Sequence, residues 1–384
     1  MRNLRIVGRS LLRFSGDNPL PLTATAWDAA SNGIILAFGP SESRAVIELK
    51  RLHYDRNNEE ERLESIASWD APCPLPTLAH DSILNLHHFS DSSTSCLVLA
   101  GGDIIMVRES PLPTEDLVEI VGSVDAGISA AAWSPDEELL AITTQANTLL
   151  LMTREIENLS SITLAPEDVN VSSQVSVGWG KKETQFKGKR ARALQDPTVP
   201  DSVDEGALSQ FDDRSVTVSW RGDGAYFAVT SVEQEQRRII RVYSREGQLD
   251  SVSEPVDGLE GALSWRPSGN LIASIRRLKE RVEVVFFERN GLRHGQFDLR
   301  LSPEELQALT IPITLRWNSD SNVLAVCFSR KIQLWTMSNY HYYLKQELKF
   351  PEDAAKTVMC NWHQERPLSL ALAIPSKKFL CLLL

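Results

Sequence analysis

Apolar and polar positions along the chain recur in one unit. A short apolar run ends in tryptophan, a polar turn follows, and a second apolar run begins. The clearest copies are Ala131-Ala132-Trp133-Ser134-Pro135-Asp136, Val218-Ser219-Trp220-Arg221-Gly222-Asp223-Gly224 and Leu263-Ser264-Trp265-Arg266-Pro267-Ser268-Gly269. Leu315-Arg316-Trp317-Asn318-Ser319-Asp320 and Met359-Cys360-Asn361-Trp362-His363 are two more, and a weaker copy surrounds Ala26-Trp27-Asp28. In Leu86-His87-His88-Phe89-Ser90-Asp91 a phenylalanine takes the tryptophan position. Trp220 to Trp265 and Trp317 to Trp362 are each 45 residues, and Phe89 to Trp133 is 44. Trp27 to Phe89 is longer, at 62, and Trp133 to Trp220, at 87, spans one unit plus a large insertion. Seven units result.

Each unit has the chemistry of antiparallel strands. Pro135 and Pro267 stand where a type I turn wants a preset φ, and Gly224 and Gly269 supply the permissive residue that follows. A β-run comes next, as in Leu139-Leu140-Ala141-Ile142, Tyr226-Phe227-Ala228-Val229 and Val323-Leu324-Ala325-Val326. A third run follows, as in Ile239-Ile240-Arg241-Val242-Tyr243 and Val282-Glu283-Val284-Val285-Phe286. These runs alternate in places and are continuously apolar in others, the pattern of sheets packed face to face. One such sheet cannot hide both faces; radial stacking buries them and leaves only short edges. A period of about 40–45 residues is that of WD40 blades. The sequence predicts an all-β fold, a seven-bladed β-propeller of degenerate WD40-like repeats. It is read as one domain over 1–384 with an inserted loop at about 181–215. The tryptophans are read as structural.

The ends of the chain suggest how the last blade is completed. Lys378 to Leu384 reads as a third strand with no fourth after it, and Leu4 to Leu12 as a strand with no blade before it. The N-terminal strand is therefore predicted to close the last blade. The tail Cys381-Leu382-Leu383-Leu384 also matches a prenylation pattern, but no basic run precedes it and a strand is the favoured reading. Third strands such as Leu334-Trp335-Thr336 and Val242-Tyr243-Ser244 lack the Trp-Asp dipeptide. This predicts loss of the buried Asp–His network of regular WD40 blades, with apolar packing carrying more of the stability. Ser302-Pro303-Glu304-Glu305 is a helix start, with serine as N-cap, proline in the first turn and Glu305 completing a capping box.

Between Trp179 and Val216 the periodicity fails. Lys181, Lys182, Lys187, Lys189, Arg190 and Arg192 lie close together, and Asp196, Asp201, Asp204, Glu205, Asp212 and Asp213 follow. Pro197, Pro200, Gly206 and the scarcity of apolar residues predict a mobile, solvated loop. A second reading stands beside it. Clustered Lys and Arg release counterions from phosphate, so the six basic residues are the candidate contact for nucleic-acid phosphate or an acidic partner surface. Phe186 could stack on a base, although a lone aromatic is weak support.

The run Val177-Gly178-Trp179-Gly180-Lys181-Lys182-Glu183-Thr184-Gln185-Phe186, with the blades around Trp220 and Trp265, resembles the N-terminal region of the Elongator complex protein 1 family. The opening Met1-Arg2-Asn3-Leu4 is similar too, and the resemblance runs over essentially the whole chain. It implies a longer parent chain with a second propeller, a helical repeat region and a C-terminal dimerisation region. The present fragment would then be a monomer and the full-length chain a dimer. The family's complex builds a 5-carboxymethyl-type side chain on the wobble uridine of certain tRNAs. Chemistry belongs to a radical S-adenosylmethionine and acetyltransferase subunit, and a second WD40 subunit is another partner. The resemblance implies a scaffold.

Composition narrows the picture further. Of 384 residues 42% are hydrophobic and 24% charged, ordinary for a soluble globular protein. A net charge of −11 excludes whole-surface nucleic-acid binding, so any RNA contact must be a local patch. The cysteine count is odd, no C-x-x-C occurs, and Cys96, Cys327, Cys360 and Cys381 lie in apolar runs; Cys73 is the fifth. Buried thiols of a reducing compartment are expected. The N-terminus lacks a signal-peptide core, no membrane-length apolar stretch exists, and the sequons at Asn158 and Asn170 are read as chance. A cytoplasmic location, also nuclear, follows, with no membrane contact. H-E-x-x-H, G-x-S-x-G, Walker A and G-x-G-x-x-G motifs are all absent. His87 and His88 would point to opposite faces of a strand, which is poor for one metal. No catalytic, cofactor or metal site is expected, and the chain is read as a non-enzyme. Two alternatives are a generic WD40 adaptor in trafficking or ubiquitin ligation, and a propeller accessory domain of an enzyme. The Gly-Trp-Gly-Lys-Lys segment argues against the first and the missing nucleophile motif against the second.

Overall fold

The structure, a computed structural model, describes residues 8–12, 19–31, 33–53, 62–166, 168, 204–339, 341–350, 359–374 and 379–383. Its strands form seven four-stranded antiparallel sheets. The first strands are β2 (Leu22–Asp28), β6 (Ile83–Phe89), β10 (Ile128–Trp133), β14 (Thr217–Trp220), β18 (Leu259–Trp265), β22 (Thr314–Trp317) and β26 (Met359–Trp362). Each ends at or beside its tryptophan, or at Phe89, as the repeat predicts. The second strands, such as β3 (Gly33–Phe38), β11 (Leu139–Thr144) and β23 (Val323–Phe328), are buried throughout. Outer strands such as β13 (Asn158–Thr163) and β21 (Arg293–Asp298) alternate exposed and half-buried positions. A strand covered on both faces must be apolar throughout, whereas an edge strand needs only one apolar face.

The residue after the tryptophan closes the turn. The Asp28 carboxylate accepts from the amides of Ala30 (3.0 Å) and Ser31 (3.2 Å). The Ser134 hydroxyl accepts from the Leu139 amide (2.9 Å), and the Asn318 side chain from Asn322 and Val323 (2.9 Å each). His363 Nδ1 accepts from Glu365 (3.1 Å) and Arg366 (3.2 Å). Short acceptors at this place replace backbone partners that a tight turn leaves unpaired. The helix read from Ser302 is present as α1 (Pro303–Ala308), with both halves of its capping box formed.

The chain divides into two compact units. Unit 1 holds Met1–Thr163, Gly222–Gly224 and Ile313–Leu384; unit 2 holds Leu164–Arg221 and Ala225–Pro312. In unit 1, consecutive sheets share apolar cores. Leu36, Phe38 and Ala371 join the first and last sheets; Ile35, Ile47, Leu97 and Ile105 join the first and second; Phe89, Ile104, Trp133 and Ile142 join the second and third. Two tryptophans add a directed contact between neighbouring sheets. Trp27 Nε1 donates to the carbonyl of Asn361 (3.0 Å), and Trp362 Nε1 to that of Arg316 (3.0 Å). In both cases the acceptor is the residue just before the next sheet's own tryptophan. The N-terminal strand β1 (Gly8–Leu12) pairs antiparallel with β28 (Phe379–Leu383), from Gly8 opposite Leu383 to Leu12 opposite Phe379. In unit 2, Val242, Leu263, Trp265, Ile272 and Phe287 form the core between its two sheets.

One buried polar cluster in unit 1 brings an aspartate near a histidine of a neighbouring sheet. His88 Nδ1 lies 2.9 Å from the Ser95 hydroxyl, and its Nε2 lies 3.7 Å from Asp28. Arg51 bridges Asp28 (3.1 Å) and Glu109, the latter with a two-point fork (2.6 and 2.5 Å). The aspartate comes from the end of a first strand, so inspection of the third strands could not reveal it.

Candidate functional site

The feature most unlike an ordinary sheet core lies in unit 2. Two strands, β16 (Arg237–Ser244) and β19 (Leu271–Arg277), carry buried arginines inside apolar runs: Arg238 and Arg241 on the first, Arg276 and Arg277 on the second. A guanidinium cannot lose its charge, so each must find acceptors in place. Three of the four, Arg238, Arg241 and Arg276, find them on the two ends of the insertion.

On the entering side, Arg241 Nε donates to Asp168 (2.9 Å), and its Nη2 to the carbonyl of Ala165 (3.1 Å) and to Glu233 (2.6 Å). On the returning side, Arg238 grips Asp212 with a fork of two 2.6 Å hydrogen bonds and donates to the Ser215 carbonyl (2.7 Å). Both side chains of that pair are fully buried. Asp204 receives Arg276 and Arg293, the latter at 2.8 Å. Arg277 is held by Glu260 (2.7 Å) and by the carbonyls of Leu309 and Ile311, while the Phe211 ring covers its guanidinium at 5.0 Å.

Backbone contacts complete the fastening. Asp257 accepts three consecutive amides, from Glu205 (3.0 Å), Gly206 (2.7 Å) and Ala207 (2.8 Å). Burial raises the Asp257 pKa, but those three hydrogen bonds outweigh it and hold the carboxyl below 3.8. Glu260 goes the other way: burial lifts it above its ordinary 4.5 against the pull of Arg277 and the Ser209 hydroxyl. Gly261 lets the returning chain approach, since a Cβ there would lie 2.4 Å from the Ser215 hydroxyl.

The solvated loop expected to about residue 215 is thus corrected at its end. Residues 204–215 form no strand until Thr217, yet Asp204 and Asp212 are partners of buried arginines rather than free surface charges. The candidate contact residues Lys181, Lys182, Lys187, Lys189, Arg190 and Arg192 lie outside the described residues. The arginines that anchor the insertion were missed in the sequence as a group. Their signal was charge inside apolar runs, in Arg238-Ile239-Ile240-Arg241 and Ile275-Arg276-Arg277, matched by carboxylates in the loop.

A groove of about 1000 Å³ adjoins this base, bounded by Ala207 to Phe211, the turn from Leu278 to Val282, and the segment from Asp298 into α1. Among the described residues no three His, Cys, Asp or Glu side chains gather as a metal site would require. Cys96, Cys327 and Cys360 are buried and unbridged. Burial pushes the Cys96 thiol up to about 12; Cys360 is also raised, by its hydrogen bond with Cys327 and then by burial. Protonated thiols of this kind are poor nucleophiles. His87 and His88 take different partners, Glu137 at 2.9 Å and Ser95, as opposite faces of a strand require. No helix among the described residues is long and apolar enough to cross a membrane.

Comparison with known proteins places this geometry. The family model described as the ELP1 first N-terminal beta-propeller matches residues 1–365. Elongator complex protein 1 of Schizosaccharomyces pombe is 40% identical over 354 residues, covering 91% of this chain and 27% of the relative. The Saccharomyces cerevisiae protein of that name is 40% identical over 390 residues, covering 92% and 27%, and the Mus musculus protein 40% over 321, covering 80% and 23%. The chain therefore spans about a quarter of the length of these relatives. Among solved structures, the C-terminal WD40 domain of Sif2 aligns over 100% of this chain and 99% of its own with a TM-score of 0.53. At 12% identity that likeness concerns the fold alone. With the family model covering nearly all of it, the chain belongs to the Elongator complex protein 1 family and matches the first N-terminal propeller of that family.

Proposed function

We propose that this chain is a non-catalytic scaffold within an Elongator complex, the assembly that modifies the wobble uridine of tRNA. It holds other subunits, among them the radical S-adenosylmethionine and acetyltransferase subunit and a second WD40 subunit. It acts in the cytoplasm, with a nuclear pool, and dimerises through a region outside this chain. Its seven sheets close into one propeller over 1–384, with β1 completing the last blade; the pairing of β1 with β28 supports this. The absence of a catalytic motif in the sequence favours a scaffold over an enzyme. The match to one family along nearly the whole chain favours Elongator over a generic adaptor.

One observation carries the finer reading. Both ends of the insertion are fastened to buried arginines of the same unit, Asp168 to Arg241 and Asp212 to Arg238. Fastened ends give the intervening basic residues a fixed point of departure. Lys181, Lys182, Lys187, Lys189, Arg190 and Arg192 then meet tRNA phosphate, through a local patch on an otherwise acidic chain. The test is tRNA binding by the full complex with these six residues changed to alanine, across a salt series. The reading expects weaker binding and a shallower salt slope; equal affinity and equal slope would remove the insertion from RNA recognition.

A further inference from the structure

The longest exposed run among the described residues lies in unit 1, in the loop joining β8 (Asp103–Arg108) to β9 (Val118–Ser123). Every residue from Ser110 to Leu117 is exposed. Even Leu112 (63%) and Leu117 (40%) face water. The run opens with Ser110-Pro111-Leu112-Pro113. A proline fixes its own φ and keeps the residue before it extended. Ser110 is thus biased to the extended form in which a peptide enters an enzyme cleft.

Two other Ser-Pro pairs occur in the chain, Ser134-Pro135 and Ser302-Pro303, and both serines are engaged. Ser134 is 2% exposed, and its hydroxyl closes the turn after Trp133. The Ser302 hydroxyl accepts from the Glu305 amide (3.2 Å), and the Ser302 amide donates back to the Glu305 side chain (3.0 Å). Ser110 makes no hydrogen bond to a described residue, through its hydroxyl or its backbone. The loop is held around it, by the Glu109 amide on the Ser93 carbonyl (3.2 Å) and the Arg108 amide on that of Leu117 (2.9 Å). The same dipeptide is offered three times and left reachable, with its hydrogen-bonding groups free, once.

We infer that Ser110 is a phosphorylation site for a proline-directed protein kinase, the class that reads a proline directly after the serine. The Ser110 Oγ attacks the γ-phosphorus of ATP. The bond from that phosphorus to the β-phosphate oxygen breaks, ADP leaves, and the hydroxyl proton passes to a base of the kinase. The product adds close to two negative charges to a loop that already carries Glu109, Glu115 and Asp116, with Arg108 at its base. The phosphate then competes for Arg108 with Glu119 and Glu115, which lie 2.6 and 4.0 Å from it.

The test uses the full-length protein in its native complex, isolated from growing cells with phosphatases inhibited. Mass spectrometry of the peptide that spans Ser110 should find phosphate on Ser110. The same complex is then stripped by a phosphatase and given a purified proline-directed kinase with ATP. It should take phosphate back on Ser110, ahead of Ser302 and with none on Ser134. Pro111→Ala should slow that step by on the order of ten-fold or more, since it removes the residue the kinase reads. Pro111 is exposed, so an unchanged melting temperature shows that the variant is folded. Absence of phosphate from Ser110 in the cellular protein would overturn the assignment. So would equal incorporation at Ser134 in the folded complex, an undiminished rate in Pro111→Ala, or phosphate on Thr114 in place of Ser110.

Discussion

The two units use the same four-stranded sheet and hold it in different ways. In unit 1 the sheets meet through apolar side chains and directed bonds such as those of Trp27 and Trp362, and its buried polar groups, among them Asp28, His88, Asp81, Asn318 and Gln333, are spread over several sheets. In unit 2 four buried arginines stand on the strands, and their acceptors come largely from residues 165–168 and 204–215. A tryptophan of unit 1 finds its acceptor in the backbone of a neighbouring sheet. A buried arginine needs partners that answer its charge, because an unmatched charge in a sheet core is far more costly than a missing methyl group. The ends of the insertion are therefore part of the core of unit 2, even though the periodic pattern passes over them.

The comparison can be broken or sharpened by experiment. Removing residues 1–12 should lower the melting temperature more than any substitution below, because it strips β1 from β28 and leaves a sheet edge bare. An unchanged melt would show that the last sheet stands without it. Arg238→Ala comes next, with an expected loss of about 3–5 kcal/mol by denaturant unfolding, since Asp212 stays buried without its partner. The pair Arg238→Met with Asp212→Leu should recover most of that loss, and a single variant that costs under about 1 kcal/mol would remove the contrast between the units. Trp362→Phe in unit 1 should cost about 1 kcal/mol through the hydrogen bond to the Arg316 carbonyl, plus a further part for the smaller ring. If it cost as much as Arg238→Ala, the apolar unit would depend on its directed bonds after all.

The smallest effect is a dependence on pH. Burial holds His88 below its ordinary 6.5, against the pull of Asp28 and Glu109, and His363 is lowered by burial and by Arg366. The unfolded chain then takes up protons at higher pH than the folded one. Stability is full above 6.5 and falls as pH drops from there through the folded values. Melting temperatures measured from neutral to mildly acidic pH should decline, and His88→Gln should flatten part of that decline. A rise in stability on acidification would contradict the burial of neutral imidazoles.

Much of the architecture was legible because a blade is local. Each tryptophan, its turn acceptor and the two runs beside it lie within a short stretch, so Trp133 with Ser134 and Trp317 with Asn318 announce a strand, a turn and a strand. The capping box at Ser302 was readable for the same reason. The clamp on the insertion was not. Arg241 and Asp168 are 73 positions apart, and no local rule pairs them. The Asp28–His88 contact escaped likewise, because its members come from two different sheets.

Periodicity, turn chemistry and a family-specific segment by themselves determined the strands, the number of sheets and the family. They could do so because hydrophobic alternation and turn preferences act over a few neighbouring residues. Only the tertiary structure decided which carboxylate answers which buried arginine, and which leucines stay in contact with water. Those outcomes depend on distances between sheets, where desolvation makes a partner obligatory and where the sequence carries the charges without their pairing.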